Sequence, residues 1–145
     1  MANFRNGLYE VRNREKYVGN GKPRFRSGWE FTFMMFLDSN PNVINWASEA
    51  VSIPYRNPLT GKMSTYVPDF IVTYKSPNGT TIGDLIEIKP KKQSLIESRT
   101  ASARDRAVVA VNHAKWAAAT AYCKMQGFAF RVITEDDLFR NGSRK

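Results

Sequence analysis

Apolar residues recur along this chain at two periods, and turn-forming residues punctuate the stretches between them. Trp29, Phe33, Phe36 and Leu37 fall on one helical stripe. Ser27-Gly28-Trp29-Glu30 in front of it is a capping-box pattern, with Ser at the N-cap and Glu three residues on. Asn40-Pro41 stops that helix at about Asp38. Val43 to Tyr55 reads as a strand with Pro54 near its end, and Asn57-Pro58-Leu59-Thr60-Gly61-Lys62 is turn chemistry. Tyr66 to Tyr74 is β-branched and aromatic, Ser76-Pro77-Asn78-Gly79 turns the chain, and Ile82 to Lys89 returns, so a hairpin is predicted with a loop longer than two residues. Pro90 ends that strand. An Ala-rich helical pattern runs from about Arg104 to Gln126, with Gly127 as a suitable C′ residue. Phe128 to Ile133 is a last strand, after which Thr134 caps a short acidic turn to Phe139.

The predicted order is αβββαβ, an α/β chain with a mixed sheet. A right-handed β-helix-β crossover adds a parallel strand to an antiparallel meander. Residues 1–26 are polar, Gly-bearing and aperiodic, and read as an extended arm rather than a packed element. The expected organisation is a basic arm at 1–26, one domain at 27–140 and a basic tail at 141–145, without repeats. At 145 residues and 42% apolar content, a single core is within reach without staples.

Composition removes several classes of function. One Cys and one His exclude an internal disulfide framework and most zinc sites built on thiolate and imidazole. His113 and Cys123 lie about 15 Å apart along their helix, too far to act as a pair. Gly19-Asn20-Gly21-Lys22 follows no apolar strand and lacks the spacing of a phosphate loop, and no Gly-x-Ser-x-Gly elbow occurs. Trp29, Trp46 and Trp116 sit in apolar patterns and read as core. No run approaches the roughly 18–20 apolar residues of a membrane helix, and Met1 to Arg5 opens no signal-peptide core. The expectation is a protein that is neither secreted nor membrane-bound.

Charge points to a polyanion. Lys and Arg number 22 against 13 Asp and Glu, giving a formal net charge of +9. Arg5, Arg12, Arg14, Lys16, Lys22, Arg24 and Arg26 crowd the N-terminal segment, interleaved with Phe4, Tyr9, Tyr17 and Phe25. That mixture suits phosphates and base faces. Gly7, Gly19, Gly21 and Pro23 forbid the amphipathic helix that a membrane surface would need. Arg12, Arg14, Arg24, Arg26, Lys91 and Lys92 are therefore the expected nucleic-acid contacts. Lys115, one turn from Asn112 on the long helix, joins them.

The residues with chemistry are Pro68-Asp69 and Glu87-Ile88-Lys89. Strand periodicity puts Glu87 and Lys89 on one face and Ile86 and Ile88 on the other. Asp69 opens the neighbouring strand, where its carboxylate can meet that of Glu87. Two carboxylates so placed repel unless a cation sits between them, and an all-oxygen donor set suits Mg²⁺, with Mn²⁺ as a substitute. Ile88 offers its backbone carbonyl as a further ligand, and Lys89 can stabilise charge on a phosphate. Glu30 has a structural duty as a capping-box residue, yet its helix directly precedes the sheet, and we count it with the acids.

This set, Glu30, Asp69, Glu87 and Lys89 on an αβββαβ order, resembles the PD-(D/E)xK nuclease superfamily with its restriction-endonuclease-like fold. Several stretches are similar, more narrowly, to the head completion nucleases of tailed phages. They are Tyr17-Val18-Gly19-Asn20, Arg26-Ser27-Gly28-Trp29-Glu30-Phe31, Phe33-Met34-Met35-Phe36-Leu37-Asp38, Tyr66-Val67-Pro68-Asp69-Phe70, Glu87-Ile88-Lys89-Pro90-Lys91-Lys92-Gln93 and Ala114-Lys115-Trp116-Ala117-Ala118-Ala119. Transposon end-cleaving nucleases share the same acid and lysine plan, with flanking segments that fit less well. The resemblance implies Mg²⁺-dependent hydrolysis of double-stranded DNA during capsid maturation, in the host cytoplasm or the virion. It also implies contacts with phage head or neck proteins. Asp69, Glu87, Ile88 and Glu30 would form the metal site and Lys89 would work on water and phosphate. Cutting both strands would call for two copies of so small a nuclease, as a homodimer. The competing expectation is a non-catalytic DNA-binding or capsid-neck protein that keeps the fold.

Overall fold

Ser27 caps the first helix as the sequence predicts. Its Oγ accepts the Glu30 N–H at 3.1 Å, opening α1 (Gly28–Ser39), and Asn40 closes it by donating its N–H to the Phe36 carbonyl. The reciprocal half of the box is displaced by one residue, because Glu30 Oε1 accepts from the Arg26 N–H at 3.0 Å rather than from the cap itself. The computed structural model describes residues 6–89 and 102–134.

Helix α1 buries Phe33, Met34 and Leu37 against a four-stranded sheet. Each such side chain contributes about 1.5–3 kcal/mol when removed from water. The sheet has the order β3 (Val43–Ser48), β6 (Phe70–Lys75), β7 (Thr81–Ile88), β8 (Ala129–Ile133). The first three are antiparallel, and β8 pairs parallel with β7 after the crossover through the long second helix, α2 (Ala103–Gln126). Alternation sends Phe70, Val72, Ile86 and Ile88 to the α1 face. Leu85 goes to the opposite face, where Ala119 and Cys123 of α2 meet it. Gly127 ends α2 with φ 80°, the left-handed C′ conformation in which glycine carries no Cβ penalty. Among the described residues no helix is long and apolar enough to cross a membrane.

The structure corrects three expectations. The single strand expected over 43–55 is two, since the chain leaves the main sheet at Glu49 (φ 50°) and forms a separate hairpin, β4 (Ile53–Arg56) with β5 (Met63–Tyr66). Periodicity hid the break, because Ile53 and Tyr55 also bury one side, here in the α2-side core. The strand expected over 66–74 likewise splits at Val67-Pro68-Asp69, between β5 and β6.

The third correction concerns the arm, which is packed over its described residues. β1 (Gly7–Leu8) pairs with β2 (Arg24–Phe25), and Tyr9 and Phe25 enter the main core. Buried Asp38 gathers the segment: it accepts the Tyr9 hydroxyl at 2.8 Å, the Arg12 N–H at 2.8 Å and the Asn13 N–H at 3.0 Å. Burial opposes its charge, but those donors hold its carboxyl below the usual carboxylate range. Further on, Lys16 accepts the Trp46 N–H and Val18 donates to the Trp46 carbonyl, so the segment runs along the outer edge of β3. These are long-range contacts, and no local period announces them. Lys91, Lys92, the acidic turn to Phe139 and the basic tail lie outside the described residues.

Candidate active site

Strand β7 and the start of β6 bring the predicted acids together. Asp69 stands one residue before β6, after fully buried Pro68, and its Oδ2 accepts the Ile88 N–H at 2.7 Å. That single bond places the Asp69 carboxylate against the backbone between Glu87 and Lys89. Backbone groups of successive strand residues face alternate edges. Lys89 donates its N–H to Ile133 on the β8 side, so Ile88 turns both its N–H and its carbonyl towards Asp69.

Glu87 is only 7% exposed and is held at both oxygens. Oε1 accepts the Tyr66 hydroxyl at 2.8 Å, and Oε2 lies 3.4 Å from Lys89 Nζ. Glu87 and Lys89 thus share a face and meet, as their spacing requires. These contacts bring Asp69 to the backbone of Ile88, between Glu87 and Lys89, and Lys89 to Glu87.

Burial and crowding set the electrostatics. Asp69 is pushed up to about 8, first by burial and then by the charge of Glu87, with Glu30 adding to it and the Ile88 N–H and Lys89 opposing. Glu30 is also raised, chiefly by burial, with Arg26 opposing and Glu49 and Glu87 adding to the rise. Burial and the Glu87 charge push the Tyr66 hydroxyl well up, which keeps it a proton donor. Glu30 therefore belongs to the same field as the two central acids. Among the described residues no three His, Cys, Asp or Glu side chains stand close enough to hold a metal between them. The donor set available to a cation is the Asp69 and Glu87 carboxylates with the Ile88 carbonyl. Those hard oxygens, in a place where carboxylate charge is crowded and partly dehydrated, fit Mg²⁺ or Mn²⁺.

The basic residues divide. Arg26 forms an ion pair with Glu49 beside the acids, so it is drawn into the site's edge. Arg12, Arg14 and Arg24 are exposed on the packed N-terminal segment. Lys115 reaches from α2 to within 5.7 Å of the Tyr66 ring centroid and 6.0 Å of that of Tyr55. Asn112, buried one turn earlier, has no hydrogen-bond partner for its Nδ2 among the described residues.

Two residues escaped the sequence reading. Tyr66 opens a predicted strand and carries no sequence signal of a task, yet an aromatic hydroxyl buried on an otherwise exposed strand must find an acceptor. Glu49 gave no signal, since its place depends on the corner at which the chain leaves the sheet.

Residues 40–135 match the family described as the TnsA-like endonuclease N terminal, a span that holds Asp69, Glu87 and Lys89 and begins after Glu30. The chain is also similar to the head completion nuclease of Enterobacteria phage T4, with 36% identity over 142 residues, covering 91% of this chain and 92% of that protein. The likeness to both groups agrees with the mixed sheet and its two helices, and the chain belongs to the TnsA-like endonuclease family of PD-(D/E)xK-type nucleases as a homologue of a phage head completion nuclease.

Proposed function

We propose that this protein is a divalent-metal-dependent endonuclease that hydrolyses phosphodiester bonds of double-stranded DNA, and that it processes packaged DNA while the phage head is completed. The observation that carries the reading is the bond from the Ile88 N–H to Asp69 Oδ2, which ties the acid after Pro68 to the strand bearing Glu87 and Lys89. The head-completion part rests on similarity to a protein of that name.

In this reading Asp69 and Glu87 hold a Mg²⁺ ion, with the Ile88 carbonyl as a third ligand and Glu30 completing the acidic field. When bound, the ion would polarise a phosphate oxygen and lower the pKa of a water. Lys89 reaches the same region from the Glu87 side of the sheet, where its ammonium can donate to a phosphate oxygen and offset charge that develops during attack. Lys115, Arg26 and the exposed arginines of the N-terminal segment bind phosphates and orient the duplex.

The decisive experiment is a cleavage assay on linear, circular and branched DNA with Mg²⁺ and Mn²⁺ titrations, run beside Asp69→Asn. Metal-dependent nicking or cutting that the variant loses supports the reading. A wild-type protein that binds DNA but cuts none of these substrates with either metal refutes it and leaves the non-catalytic binding protein.

A further inference from the structure

We infer that Tyr66 is a positioning residue: its hydroxyl fixes the Glu87 carboxylate and thereby sets how tightly the site takes a divalent cation. This rests on the metal-dependent reading proposed above and extends it to a residue outside the acid and lysine pattern.

The geometry is specific. Met63, Ser64 and Thr65 of β5 are exposed, whereas Tyr66, at the end of the same strand, is 5% exposed and turns inward. Its ring is held by the edge of Phe130, with centroids 6.4 Å apart, and by Lys115 on its face. From that fixed base the hydroxyl donates to Glu87 Oε1 at 2.8 Å, while Lys89 approaches the other oxygen. A glutamate side chain has three rotatable bonds. Donors on both oxygens select one plane for the carboxylate, and each oxygen keeps a second lone pair for a cation. A hydroxyl suits this task better than another ammonium, because it orients the acid without adding positive charge that would repel the metal. Partners of this kind, one bond removed from a ligand, change metal affinity by about 10–100-fold when removed.

Tyr66→Phe keeps the ring and its packing and deletes only the donor. The test measures Mn²⁺ binding to DNA-free protein by calorimetry, the melting temperature in EDTA, and the Mg²⁺ dependence of cleavage. The Kd for Mn²⁺ should rise by about tenfold or more, and the Mg²⁺ concentration giving half-maximal cleavage should rise with it. Most of kcat should return at saturating metal. A Kd within twofold of wild type overturns the inference, as does a kcat that stays low at saturating metal. A substitution-free measurement covers the case in which the variant does not fold. In wild-type protein carrying ¹³C-labelled tyrosine, the Tyr66 Cζ resonance should move with Mg²⁺ at the concentration at which the metal binds. A resonance that ignores Mg²⁺ overturns the inference. A wild-type protein that binds no Mn²⁺ overturns the metal-dependent reading together with this one. Wild-type binding that Tyr66→Phe matches overturns this one alone.

Discussion

Replacing Asp69 by asparagine should make the metal-free protein more stable at pH 8 while removing its activity. The amide retains an oxygen to accept the Ile88 N–H, which Asp69 takes at 2.7 Å, so the local bond survives. The charge does not. Burial and the Glu87 charge lift the Asp69 carboxyl from 3.8 to about 8. Between about pH 4 and pH 8 the folded protein thus keeps a proton that the unfolded chain has released. Stability must then fall as pH rises through that window, by at most about 1.4 kcal/mol per unit for one proton. About four units set a ceiling of about 6 kcal/mol; one like-charge contact at an effective dielectric near 20 is worth about 2–4 kcal/mol, and we take the lower figure, about 2 kcal/mol. For a chain of this size that is roughly 6–8 °C in Tm. Thermal melts in EDTA from pH 4.5 to 8.5 would read it: the variant should lead at pH 8, and the two proteins should converge towards pH 4. Added Mg²⁺ should raise the wild type at pH 8 and leave the variant where it was. A wild-type Tm that is flat between pH 5 and 8 in EDTA, or one that matches the variant at pH 8, would refute the crowding of carboxylates described above.

Three other outcomes are expected. Lys89→Ala should lower the cleavage rate by about two or more orders of magnitude and leave the Kd for uncut duplex within a few-fold, as measured by filter binding in Ca²⁺; a large loss of affinity would instead make Lys89 a binding residue. Asp38→Ala strands three donors and should cost about 3 kcal/mol, visible as a drop of about 10 °C in Tm; a drop under 2 °C would mean that the N-terminal segment contributes little to the core. Neutralising Arg12, Arg14 and Arg24 together should weaken binding to all duplex sequences alike and reduce the slope of log K against log salt by about 2–3; a loss confined to one sequence would contradict phosphate contact.

The shared side of Glu87 and Lys89 was legible because a period of two decides it locally. Glu87 lies on β7 and Lys89 directly follows its last residue, so extended backbone two residues apart gives them one side. The helices were legible at their ends through Ser27, Asn40 and Gly127, whose side chains or backbone freedom act locally. What escaped depends on partners far away in sequence. Tyr9 and Phe25 are core residues because Asp38 and α1 receive their segment, and nothing within 1–26 carries a period to say so. Tyr66 acquires its task from Glu87, 21 residues on, across two different sheets. The break at Glu49 was invisible for a related reason: β3 and β4 both bury apolar residues, and hydropathy does not tell which sheet supplies the cover.

Glu49 donates its N–H to the Asp69 carbonyl at 2.9 Å, which fastens the point where the chain departs to the point where it comes back. The intervening hairpin therefore behaves as a side branch clamped at its root. Residues 57–62 at its tip can be shortened, lengthened or exchanged for another turn without shifting the aspartate, provided the β5 residue that reaches Glu87 keeps its place.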